Sequence, residues 1–134
     1  MKKPEITLRV PGSKEYALVL RLALGGVAIL KDLDAGALDD LRIASDEACD
    51  CLLHQGAEAE WLELNVYDGA ERLTVSISAG LSAKTCTGNA CEDETEISRA
   101  VLETLVPVVT LHMASCGCVE RIDLTLPKAV CVGA

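Results

Sequence analysis

Two pairs of alternating apolar and polar runs constrain the fold of this chain more than any other feature. Trp61 to Tyr67 and Arg72 to Ser78 alternate at period two around Asp68-Gly69-Ala70-Glu71. Val108 to Ala114 and Val119 to Leu126 do the same around Ser115-Cys116-Gly117-Cys118. Successive strand side chains point to opposite faces, so each run can bury only one face, and each pair reads as a hairpin. Ile6 to Val10 (I-T-L-R-V) is a fifth, shorter alternating run, closed by Pro11-Gly12.

Helical patterns fill the intervals. Ser13 suits the N-cap of a helix running through Leu30, with Glu15 and Tyr16 in its first turn. Leu18, Leu22, Gly25/Gly26 and Ile29 recur there at helical spacing and are expected to face the core. Each glycine costs a helix about 1 kcal/mol, which implies close packing at that point. Asp34 caps a second helix ending near His54-Gln55-Gly56, with Leu38, Leu41, Ala44, Ala48 and Leu52 as its buried stripe. Residues Gly80 to Asp93 read as a loop. Glu94 to about Val106 reads as a third helix, with Ile97, Val101 and Leu105 inward and Pro107 as its stop. The order is β-α-α-β-β-loop-α-β-β, with no repeat and no linker. It predicts one α+β domain over residues 1–134, a two-layer sandwich of a mixed, mostly antiparallel sheet with helices on one face.

Composition narrows function. Half of the 134 residues are hydrophobic, yet there is no Phe, and Tyr16, Trp61 and Tyr67 are the only aromatics. The core is therefore Leu, Val, Ile and Ala, and stacking platforms for single-stranded nucleic acid are missing. A net charge of −9 repels phosphate backbones and anionic membrane surfaces, so neither is an expected partner. No apolar run approaches the ~20 residues of a spanning helix, and no apolar stretch follows Met1-Lys2-Lys3, so neither an anchor nor a signal peptide is expected. The cysteines are seven, an odd number, which favours reduced thiols in the cytoplasm.

The segment from Pro11-Gly12-Ser13-Lys14-Glu15-Tyr16 through Leu38-Asp39-Asp40-Leu41-Arg42-Ile43-Ala44-Ser45-Asp46-Glu47-Ala48-Cys49 resembles the start of anti-sigma-factor serine kinases of the GHKL (histidine-kinase-like ATPase) superfamily. That family shows a strand, a helix with an R-L-x-L-x-G-V core, then a D-L-x-I-A-x-x-E-A helix. The similarity is specific over residues 6–56 and weaker beyond. It implies the Bergerat fold, with Mg²⁺ and ATP held between helices and sheet, a twofold homodimer, and a sigma factor or anti-sigma antagonist as partner. By that resemblance Glu47 is the general base that deprotonates a partner serine, and Arg21 touches the sigma factor. Cys51 takes the place of the Mg²⁺-binding Asn, where a thiol is a poor ligand for a hard cation. Ser78 takes the place of the adenine-reading Asp, Gly80 is kept, Ser82 replaces a second Gly, and Thr125 matches a threonine behind the adenine. The phosphate-cradling glycine box has no counterpart in Glu96-Ile97-Ser98-Arg99-Ala100-Val101, which follows Glu92, Asp93 and Glu94.

The resemblance thus leads to a regulator that acts by binding protein, with ATP bound weakly or not at all. Two alternatives stand beside it. One is a working ATP-dependent serine kinase using Glu47. The other is a metal or redox sensor built on Cys49, Cys51, Cys86, Cys91, Cys116, Cys118 and Cys131, although no two C-x₂-C pairs occur among them. Ile6 to Val10, as an edge strand, is an expected site of self-association.

Overall fold

A computed structural model describes residues 3–82 and 92–128, and their side chains except at 92–94. Among these residues the elements run β1 (Ile6–Pro11), α1 (Lys14–Leu30), α2 (Ala35–Leu53), β2 (Ala59–Asp68), β3 (Arg72–Leu81), α3 (Glu92–Leu105), β4 (Val108–Met113) and β5 (Val119–Pro127). They form an α+β fold with a five-stranded open sheet of order β1-β2-β3-β5-β4. Every neighbouring pair is antiparallel, so the sheet is not mixed as expected. The crossover through α3 and β4 leaves β5 to return between β3 and β4, antiparallel to both. Strand β3 continues through Gly80 and Leu81, and α3 opens at Glu92, both inside the segment read as a loop. No described helix is long and apolar enough to cross a membrane.

Alternation along the strands supplies one wall of the core. Leu62, Leu64 and Val66 of β2, Leu73, Val75, Ile77 and Ala79 of β3, and Ile122, Leu124 and Leu126 of β5 are buried against the helices. The helices answer with Leu20, Leu24, Val27 and Ala28 of α1 and Leu41, Ala44, Ala48, Cys49 and Leu52 of α2, joined by Leu102 of α3.

In two helices the buried stripe differs from the expected one. Leu18, Leu22 and Ile29 of α1 are 54%, 67% and 72% exposed. Among the described residues nothing lies within 4 Å of where a Cβ would stand on Gly25 or Gly26, so the glycine pair answers no packing demand from them. In α3, Ile97 is exposed and Leu102 is buried. Both helices carry apolar residues at more than one phase, and only the sheet decides which phase turns inward.

Two polar devices tie the layers together. Gln55, just past α2, donates from Nε2 to the Val119 carbonyl at 2.5 Å and accepts from the Val119 amide at Oε1 at 2.8 Å. At the opposite end of β2, Asp68 accepts from Lys31 at 2.9 Å and also pairs with Lys128, while Lys31 reaches Glu5 at 2.9 Å. The lysine hydrogen bonds, Lys128 first and then Lys31, pull the Asp68 carboxyl from 3.8 down to about 2. Because the folded-state value lies below that of the unfolded chain, this stabilisation is complete above about pH 4 and fades as pH falls through about 2. Asp68→Asn should therefore lower the urea midpoint at pH 7, and the gap from wild type should narrow steadily between pH 4 and 2. A gap that is constant with pH would show that the carboxylate's charge plays no part.

Candidate functional site

The candidate site is a cleft of about 240 Å³ between the C-terminal half of α2 and the first turns of α3. Glu47, Asp50, Cys51 and His54 line one side, at i, i+3, i+4 and i+7, spacings that share one face of a helix. Gln55 closes the end, and Thr95 and Ser98 of α3 form the other wall. The Cys51 thiol is held above its ordinary range, first by burial, and the charge of Glu47 pushes the same way. The Ser98 hydroxyl hydrogen-bonds the sulfur and offsets part of that rise. At neutral pH Cys51 is thus a neutral thiol, whereas metal ligation and nucleophilic attack use the thiolate.

Of the positions singled out in the sequence, the structure brings Glu47 and Cys51 together and leaves Ser78, Gly80, Thr125 and Arg21 elsewhere. Ser78 lies on the opposite face of the sheet, in a groove with Trp61, Asn65 and Arg121. Thr125 lies on that face too, its hydroxyl 3.1 Å from that of Thr74. Period-two alternation is the reason, since Leu73, Val75, Ile77 and Ala79 take the core-facing places of β3. Gly80 has a packing reason of its own, because a Cβ there would run into the Trp61 indole. That ring is covered on its other side by the Arg9 guanidinium, 3.8 Å from its centroid.

Arg21 does not stand free in solvent. Its guanidinium is 3.6 Å from the Asp46 carboxylate across the α1–α2 seam. The two border a shallow groove with Lys14, Leu18, Cys49 and Asp50. At that distance the pair is an ion contact without a good hydrogen bond, and both partners remain part-exposed.

The cysteines divide by environment. Cys49 sits in the core, where burial raises its thiol to about 12, an inert value. Cys118 is buried and free, whereas Cys116 is disulfide-bonded, so the expectation of reduced thiols fails at that residue. Cys86, Cys91 and Cys131 lie outside the described residues. Among the described residues no group of three His, Cys, Asp or Glu is arranged to hold a metal ion.

His54 and Gln55 were not foreseen as parts of the cleft. His54 was legible as the last polar residue of the Glu47–Cys51 face. Gln55 was not, because its partner is 64 residues away. A Mg²⁺–triphosphate group does not fit these walls. Among the described residues two carboxylates and a neutral thiol meet it, no Lys or Arg lines it, and Thr95 and Ser98 stand where a glycine-rich turn would offer amides. No family model matches the chain, and no curated protein matches it.

Proposed function

We propose that this chain is an anti-sigma-factor-like regulator with a histidine-kinase-like (Bergerat) fold that acts in the cytoplasm by binding protein rather than by transferring phosphate. The observation that carries the reading is the α2–α3 cleft. Glu47, which the resemblance makes the base, stands there beside Asp50, neutral Cys51 and Ser98, a set of described side chains that supports weak or absent binding of a triphosphate because it sets carboxylates and no Lys or Arg against the phosphates. The binding surface is the α1–α2 groove beside Arg21. Its 3.6 Å contact with Asp46 is weak enough for an incoming carboxylate to take over the guanidinium.

Titration with Mg-ATP tests the cleft, with no measurable heat expected. A low-micromolar dissociation constant would overturn the reading and favour the alternative that Glu47 itself suggests, an active serine kinase. Arg21→Glu tests the surface. It sets a carboxylate against Asp46, which should cost stability no more than about 1 kcal/mol. It should abolish retention of proteins that the wild type captures from its native extract. If both variants capture the same proteins, another surface is responsible.

A further inference from the structure

The seam between α2 and α3 opens at both ends. One opening is the Glu47 cleft, where the end of α2 meets the start of α3. The other sets the start of α2 against the end of α3 and the end of β5, and it holds about 430 Å³. That volume lies within the range of small-molecule sites, roughly 300 to 1,000 Å³. Leu33, Leu105, Pro107 and Leu126 make most of the wall apolar, and Ala37 and Asp40 supply the α2 side.

The positive features of this wall are already taken by the chain itself. Lys128 lines the cavity, but its ammonium pairs with Asp68. The N-terminus of α2 lines it too, but the Asp34 carboxylate caps that end, accepting from the Ala37 amide at 2.7 Å. An incoming anion would therefore have to displace a carboxylate of the protein at either place.

The negative features are open. Asp40 is half-buried, and its carboxylate has no hydrogen-bond or ion-pair partner among the described residues. Helix α3 ends on this wall at Leu105 with no basic residue in its last turn, so the negative end of its dipole is uncompensated. The Val106 amide closes the Leu102 carbonyl at 2.9 Å, but Pro107 has no N–H to do the same for Glu103.

We infer that this cavity binds a small organic ammonium ion with a compact apolar body. The body displaces water along Leu33, Leu105 and Leu126, and the ammonium pairs with Asp40 beside the end of α3. Beside an apolar wall the effective dielectric is lower than in open water, so the same two charges attract more strongly. The net charge of −9 also raises the concentration of cations near the surface. The cavity lies at the opposite end of α2 from Glu47, and the inference does not rest on the regulatory reading.

Three probes with one phenylethyl body and different heads test it: 2-phenylethylammonium, 2-phenylethanol and 3-phenylpropanoate. Each is titrated into the full chain and followed by amide NMR shifts. The ammonium should bind at least about tenfold more tightly than the alcohol. Its shifts should centre on Ala37, Asp40 and Leu105, and the propanoate should show no saturable binding. Asp40→Asn should bring the ammonium down to the affinity of the alcohol and leave the alcohol unchanged, with an unaltered thermal midpoint. Ala37→Leu fills the cavity with a good helix former and should remove binding of both. Failure of the ammonium to saturate would overturn the inference. So would equal binding of the three heads, or an ammonium affinity that Asp40→Asn leaves unchanged. Shifts centred on Cys51 and Ser98 would place the ammonium against Glu47 and Asp50 in the other cleft, which overturns it as well.

Discussion

Replacing Gly12 by alanine will destabilise the fold by about 3 kcal/mol or more, among the largest costs of any single methyl group in this chain. Gly12 follows β1 and donates its amide to the Glu60 carbonyl at 3.2 Å. A Cβ at Gly12 would lie far inside contact distance of the Ala59 carbonyl carbon and oxygen. Those atoms belong to backbone, at the place where the register between β2 and β3 shifts, and they cannot swing aside as a flexible side chain would. Relief requires β1 to lift from β2 or the bulge to rearrange, and either breaks ladder hydrogen bonds. Urea unfolding of Gly12→Ala, with unchanged slope and a strongly lowered midpoint, is the expected result. A loss below about 1 kcal/mol would mean that the strand ends yield at little cost.

The second large effect separates two leucines that look alike in the sequence. Leu24→Ala should cost about 3 kcal/mol, because Leu24 is fully buried and the surrounding core can collapse only partly onto the space left behind. Leu22→Ala, two residues away on the opposite face, should change monomer stability by no more than about 0.5 kcal/mol. Both variants are best compared by denaturation at concentrations where the chain is monomeric. Equal losses would mean that α1 is rotated from the orientation described here.

The strands were legible because a half-buried sheet imposes a binary alternation, which fixes both the run and its inward face. The run Trp61 to Tyr67 was found within β2, and Arg72 to Ser78 within β3. The rotation of α1 was not legible. Its residues from Leu18 to Leu30 are apolar on every side but one, so periodicity alone offers two equal phases. Leu20 and Leu24 win only because the sheet lies on their side.

The site divides in the same way. Glu47 and Cys51 could be placed together from spacing, since four residues of helix make one turn. Ser78 and Thr125 could not be placed against them by matching to a pattern. In a strand an offset of one residue reverses the face, and both side chains lie away from the helices.

The double hydrogen bond of Gln55 gives the cleft an asymmetry. A carboxamide that offers a donor and an acceptor to one residue's backbone acts as one more rung of the sheet, and it welds the end of α2 to the start of β5. The α2 wall, with Glu47 and Cys51, is therefore a fixed jaw. The facing wall belongs to a helix anchored farther along, at Leu102, beyond Thr95 and Ser98. A ligand needing more room than the cleft offers would therefore have to displace the first turns of α3 and break the Ser98–Cys51 hydrogen bond, because the α2 wall is held to the sheet.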